Sequence, residues 1–292
     1  MLSWFAPIVE QFVARLNAGQ CHHALLLNGP RGIGKQQLLV DLAQHILCHN
    51  AHQACDHCQS CLLFSAGTHP DHYVIQSEKQ IGVDDIRQGI EKLHTHAQLS
   101  HTKVLLIHDA DTMTESAANA LLKTLEEPNQ QTYLVLSTSS GRVLPTILSR
   151  CEKHTLTLPS TPAIQAWLRQ EHDLVVDEAT INAYQHAPFS VLHALSEPDS
   201  LSYQEFCDDF AALEAQSITA LDFGLKWQSD VQNCLRWLQQ QWLRKAQTVP
   251  EPHQQRMIKV RLEHVIALTP KMHHAGTNKA LLLAQVLTPF TE

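Results

Sequence analysis

Residues 29–36 read Gly-Pro-Arg-Gly-Ile-Gly-Lys-Gln, a phosphate-binding loop complete except at its last fixed position, where Gln36 replaces serine or threonine. No other feature constrains the fold as much, because such a loop works only between a buried strand and the start of a helix. There its glycines let backbone N–H groups curl around phosphates. The flanks supply that setting: the apolar run Ala24 to Leu27 precedes the loop, and Leu38, Leu39, Leu42 and Ile46 share one helical face after it. In a hydrolysing loop the lysine reaches the terminal phosphates and the final hydroxyl ligates Mg²⁺. Here Gly29, Gly32, Gly34 and Lys35 keep the cradle, while Gln36 offers only an amide oxygen, a poorer ligand. The expectation is a socket able to hold ATP or ADP without turning it over.

The same alternation continues. Val9, Phe12, Val13 and Leu16 are spaced as a helix that stops at Gly19, and Val104 to Ile107 and Tyr133 to Leu136 read as buried parallel strands. Between those strands Ala118, Leu121, Leu122 and Leu125 mark a helix ending before Pro128. An α/β domain with a parallel sheet and flanking helices follows. After Cys151 the segment Leu158-Pro159-Ser160-Thr161-Pro162 reads as a linker, and the remainder as helical. Trp167, Ile181, Tyr184 and Leu195 suggest a small helical block closed by a turn-rich stretch near Pro198. Phe223, Trp227, Val231, Cys234, Leu235, Leu238 and Trp242 then form a stripe at spacings of three and four, the mark of a helix-bundle core, followed by helices near Ile258 to Ile266 and Lys279 to Val286.

At 292 residues with 44% hydrophobic content, the chain suits two or three globular domains. Met1 to Leu16 is interrupted by Pro7, Glu10 and Arg15 and is not built like a signal peptide, and no long apolar run suggests a membrane span. A cytoplasmic protein is expected. With 21 basic and 29 acidic residues the net charge is -8, so the chain alone is poorly suited to gripping a nucleic-acid backbone. Its 20 histidines show no repeated ligand spacing and read mostly as surface composition.

Four of the eight cysteines cluster at Cys48, Cys55, Cys58 and Cys61, the last three as two overlapping Cys-x-x-Cys steps. In a reducing compartment four thiolates match a closed, structural Zn²⁺ shell. An iron–sulfur cluster is the rival, although its usual Cys-Pro is missing downstream. His49, His52 or His57 could replace one thiolate, and four unliganded cysteines are the bland alternative. Cys21, Cys207 and Cys234 lie apart and are expected to be ordinary buried thiols.

The strand Val104 to Ile107 leads into His108-Asp109-Ala110-Asp111, the place of the acidic motif that supports Mg²⁺ in phosphate-loop folds. Asp109 fits the metal-side carboxylate. Ala110 stands where hydrolysing enzymes carry the glutamate that activates water, and a methyl group takes no proton. Asp111 could substitute for that base, but its displacement by one residue along the strand end is expected to point it to the other face. Farther on, Ser149-Arg150-Cys151 follows the third apolar run.

These motifs, together with His23-Ala24-Leu25-Leu26-Leu27-Asn28, Thr68-His69-Pro70-Asp71, Ile86-Arg87 and Ala117-Ala118-Asn119-Ala120-Leu121-Leu122-Lys123-Thr124-Leu125-Glu126-Glu127-Pro128, resemble the delta-prime family of clamp-loader subunits of bacterial DNA polymerase III. The match spans most of the first 195 residues. It implies an AAA+ domain at 1–160 with an inserted zinc module at 48–61, a helical lid at 161–203 and an all-α collar at 204–292 that oligomerises. It implies that Arg150 acts as an arginine finger on ATP held by a neighbouring subunit, with Ser149 and Cys151 shaping its turn. Leu192 takes the place of the nucleotide-sensing lid arginine of motor subunits. The implied partners are tau or gamma and delta subunits, with the sliding clamp and primer-template DNA engaged through the assembled complex. The chain would then be a non-hydrolysing part of an ATP-driven loader within the nucleotidyltransferase holoenzyme. A motor ATPase of the tau or gamma type and a zinc-dependent nucleic-acid binder are the alternatives.

Overall fold

A computed structural model describes residues 1–50, 53–77, 79–99, 101–129, 131–197, 201–248, 251–268 and 278–287. His52 and Pro198 lie outside the described residues. The chain forms two compact units, Met1–Val175 with His186–Ser190, and Val176–Gln185 with Val191–Glu292.

The first unit opens with a single 3₁₀ turn, Ser3–Phe5, and α1 (Ala6–Asn17). It continues through β1 (Ala24–Asn28), α2 (Lys35–Leu47), α3 (Gln59–Ser65), β2 (His72–Ile75), α4 (Val83–His94), β3 (Lys103–Ile107) and α5 (Glu115–Glu126). It ends with β4 (Thr132–Thr138), α6 (Pro145–Leu148), β5 (Glu152–Thr155) and α7 (Thr161–His172). The five strands form one sheet in the order β2-β3-β4-β1-β5, with every pair parallel. In the register Leu26 lies opposite Leu136, and Leu105 opposite Leu134.

Strand alternation sorts the central residues onto two faces. Leu25, Leu27, Val104, Leu106 and Val135 pack with Phe12 and Leu16 of α1 and Leu38, Leu39 and Leu42 of α2. Leu26, Leu105, Ile107, Leu134 and Leu136 pack with Ile86 of α4 and Leu121 and Leu125 of α5. Burial on both sides explains why β1, β3 and β4 are uninterrupted apolar runs. The expected parallel sheet with flanking helices is present. The outer strands escaped the sequence reading: β5 is Glu-Lys-His-Thr, with exposure alternating along it and no apolar signature. The expected linker also ends early, since Thr161 and Pro162 already form the first turn of α7.

The second unit is helical among its described residues: α8 (Glu178–Ala183), most of α9 (Pro188–Ser196), α10 (Tyr203–Glu214), α11 (Ala220–Trp227), α12 (Val231–Thr248), α13 (Pro252–Leu268) and α14 (Lys279–Leu287). The long apolar stripe is divided, because a 3₁₀ turn at Gln228–Asp230 separates α11 from α12. Reciprocal capping boxes, Ser202 with Glu205 and Thr219 with Asp222, start α10 and α11. Phe206, Trp227 and Trp237 form an aromatic core with ring centroids 5.3 to 5.8 Å apart. The Trp237 indole donates to Ala183 O at 3.1 Å, so its polar edge is satisfied inside the core. Cys234 is buried as expected, whereas Cys21 and Cys207 are only partly covered. No described helix is long and apolar enough to cross a membrane.

Candidate functional site

The phosphate loop leaves the carboxyl end of β1 and ends at Gly34, whose φ of 95° caps the start of α2 in the left-handed region open to glycine. A side chain at Gly34 would meet Leu2 Cδ1 at 2.4 Å and Phe189 at 2.8 Å. Arg31, Gly32, Gly34, Lys35, Gln36 and Asp109 line a cleft of about 570 Å³, together with Ser137, Ser139 and Phe189. Five of the six nucleotide-site residues expected from sequence therefore share one cleft. Gly29, the sixth, supplies a carbonyl to its lysine.

That lysine is turned into the loop. Lys35 is buried, and its Nζ donates to Gly29 O and Pro30 O, each at 2.8 Å. Burial pushes its pKa down to about 8, opposed by the carboxylates of Asp109 and Asp111. Two more loop carbonyls are taken: Phe189 N–H donates to Gly32 O at 2.9 Å, and the Trp4 indole donates to Ile33 O at 3.1 Å. Trp4 packs edge-on to Trp167, which in turn packs against Phe189. A phosphate entering here must draw the ammonium away from carbonyls the chain itself satisfies. Sequence spacing carried no sign of Phe189, which lies more than 150 positions beyond the loop.

Beyond β3 the backbone leaves strand geometry. Asp109 has φ 46°, and Ala110–Thr112 forms a 3₁₀ turn. Strand alternation does not extend to Asp111, and the expected opposite orientation is replaced by convergence of both acids on the tip of β4. Ser139 Oγ donates to Asp109 at 3.2 Å, while Ser139 N–H, Ser140 N–H and Ser140 Oγ donate to Asp111 at 3.3, 3.2 and 2.6 Å. Burial disfavours the Asp111 charge, but these donors outweigh it and hold the carboxyl below its ordinary range. Ala110 is buried. Among the described residues Asp109 is the one carboxylate lining the cleft.

The four clustered cysteines converge. Cys48 ends α2, Cys58 caps α3, and the four sulfurs lie within 4.8 Å of one another. Separations of 3.6 Å (Cys48 to Cys55), 3.9 Å (Cys55 to Cys61) and 4.0 Å (Cys48 to Cys58) exclude disulfides. They match the edge of about 3.8 Å of a tetrahedron of sulfurs around Zn²⁺. The residues present thus fit a metal. The backbone N–H of His57 lowers the Cys55 thiol to about 6, while burial raises Cys61 to about 12. A buried relay joins this knuckle to the sheet: Ser60 Oγ donates to Leu47 O at 2.6 Å and lies 2.9 Å from His69 Nε2. His69 Nδ1 accepts from Asp71 N–H at 3.1 Å, and the Asp71 carboxylate accepts from the backbones of Gln98 and Leu99. The histidines of this region, His69, His72 and His108, are core or half-buried groups rather than surface composition.

Ser149-Arg150-Cys151 sits elsewhere. Ser149 caps α6, its hydroxyl donating to Thr146 O at 3.0 Å. Cys151 is buried, which raises its thiol to about 11 and suits packing rather than reactivity. The Arg150 guanidinium donates to Thr146 O at 2.8 Å and pairs with Glu126, the last residue of α5. None of these three residues lines the phosphate-loop cleft among the described residues.

Residues 5–160 match the family described as DNA polymerase III, delta subunit. The chain is 43% identical over 174 residues to DNA polymerase III subunit delta′ of Escherichia coli K12, covering 58% of this chain and 52% of that protein. It is 45% identical over 152 residues to the protein of the same name from Pseudomonas aeruginosa, covering 50% and 46%. The chain thus spans about half the length of the curated relatives it matches. Among solved structures, a DNA polymerase III gamma-subunit-related protein from Thermotoga maritima is similar at 20% identity and a TM-score of 0.48, covering 96% of this chain and 99% of that one. The family resemblance read from the sequence motifs is borne out by the relatives.

Proposed function

The chain belongs to the DNA polymerase III delta-subunit family, and from that premise we propose that it is a non-hydrolysing, delta-prime type subunit of a clamp loader. In this reading it anchors a ring with motor subunits of the tau or gamma type and a delta subunit. The ring loads a sliding clamp onto primer-template DNA. Residues 1–160 serve as the AAA+ domain, 161–203 as the lid and 204–292 as the collar through which the ring assembles. Exposed Leu225, Val260, Ile266 and Leu281 support an oligomerising role for the collar. Zn²⁺ held by Cys48, Cys55, Cys58 and Cys61 stabilises a surface excursion too small to have a core of its own.

One observation carries the reading. The cleft keeps its glycine cradle, yet among the described residues its one lining carboxylate, Asp109, is bonded to Ser139, and Asp111 is occupied by Ser139 and Ser140. The base position is a buried methyl group. A methyl group takes no proton from an attacking water, and on this reading turnover belongs to a neighbour. Arg150, placed outside its own cleft, supplies positive charge to that neighbour's transferring phosphoryl group. Comparing ATP turnover of the purified chain with that of rings reconstituted with and without it tests this. Hydrolysis by the chain alone, lost on Lys35→Ala, would assign it to the motor type instead.

A further inference from the structure

We propose that Asn50 is a positioning residue for the four-cysteine metal site, its two N–H donors fixing Cys48 and Cys55 and its amide locked in turn by His57. This inference rests on reading the quartet as a metal centre. Four thiolates around a divalent ion leave the centre doubly negative, so N–H donors aimed at the sulfurs offset charge and fix the ligands. Asn50 supplies two such donors. Its backbone N–H lies 3.4 Å from Cys48 Sγ, and its Nδ2 lies 3.3 Å from Cys55 Sγ. Other donors come from the backbone without a side chain: Cys61 N–H, in the first turn of α3, lies 3.4 Å from Cys58 Sγ, and His57 N–H acts on Cys55.

The second hydrogen of the Asn50 amide points at His57 Nε2, 3.4 Å away. An amide nitrogen only donates, so Nε2 accepts and the ring proton sits on Nδ1. Nδ1 lies 2.5 Å from Cys55 O, an acceptor, which agrees with that tautomer. The ring is therefore closed: Asn50 holds the Cys55 sulfur, and His57 links the Asn50 amide to the Cys55 carbonyl. This occupies both nitrogens of His57 and removes it as a replacement ligand. The contact reaches from Asn50, two residues after the first ligand, to the sulfur of the second.

The test is metal affinity of the full chain, read by competition with a chromophoric chelator and by the thiolate-to-metal bands of the Co²⁺-substituted protein. Asn50→Ala is expected to weaken affinity about 10- to 100-fold, the range for lost outer-shell partners, with shifted Co²⁺ bands. Asn50→Asp, which sets a carboxylate against thiolates, is expected to weaken it further. His57→Ala is expected to have a smaller effect, and none when added to Asn50→Ala. Unchanged affinity in Asn50→Ala, beside loss of binding in Cys55→Ala, would overturn the role of Asn50 while leaving the metal centre intact. A wild-type chain that binds neither Zn²⁺ nor Co²⁺ through its cysteines would remove the metal reading and this inference together. If Asn50→Ala fails to fold, His57→Ala decides: affinity equal to wild type counts against the relay.

Discussion

The carboxylate of Glu126, at the end of α5, holds the guanidinium of Arg150, which follows α6, and the Thr146 carbonyl accepts from the same guanidinium at 2.8 Å. Both partners are partly exposed, so the pair adds little to stability but fixes where the arginine points. If Arg150 completes a neighbour's site, Glu126→Ala lowers ATP turnover of the reconstituted ring at saturating clamp and DNA, by less than Arg150→Ala does. The two effects are coupled: adding Glu126→Ala to Arg150→Ala changes nothing more. Additive losses would mean that Glu126 acts elsewhere.

The Ser60 to His69 relay predicts a stability defect without a metal-ligand change. Ser60→Ala leaves Leu47 O and His69 Nε2 buried without the shared hydroxyl, which costs about 1 to 3 kcal/mol. Urea unfolding of the metal-loaded chain measures this. A loss below about 0.5 kcal/mol, the usual range for a surface change, contradicts a structural link between knuckle and sheet.

Acid should destabilise the first unit earlier than its carboxylates alone would require. Burial pushes His72 down to about 4, with the charges of His69 and His108 adding, and burial also lowers His108. The fold holds these rings neutral, whereas the unfolded chain protonates them below about 6.5. Their stability contribution is therefore complete above that pH and is lost as pH falls, for His72 down to about 4, by at most about 1.4 kcal/mol per pH unit for each ring. Unfolding free energies between about pH 7.5 and about pH 5 check the sign, and His72→Gln should flatten the slope. An unchanged slope would exclude His72 as a contributor.

Val260 and Leu225 are 56% and 51% exposed on helices of the proposed collar. A charge at either site has no core to disrupt, so Val260→Glu should change monomer stability by less than about 0.5 kcal/mol. On the proposed function it should weaken assembly with motor subunits, measured by sedimentation of mixed chains. Full assembly by the variant would remove that part of the collar from the interface.

Legibility in the sequence followed burial and locality. The strands β1, β3 and β4 were readable because burial on both faces makes them continuous apolar runs, whereas β2 and β5 at the sheet edges lack that demand. The phosphate loop and the cysteine quartet are local in sequence, and spacing alone located them. The partners that define their state are not local: Phe189 on the loop and Glu126 on Arg150 meet their targets through the fold. The orientation of Asp111 is not legible from strand alternation, because the chain turns into a 3₁₀ helix beyond β3, where a period of two does not apply.

The central claim is that this chain contributes to ATP hydrolysis only through a neighbour. Its most direct test is steady-state phosphate release by the purified chain alone, and by rings carrying either the wild-type chain or Arg150→Ala, at saturating ATP, clamp and primed DNA. The account predicts no release by the chain alone and a ring rate lowered by one site's share when Arg150 is removed. Release by the chain alone that disappears on Lys35→Ala, together with rings indifferent to Arg150→Ala, would contradict it.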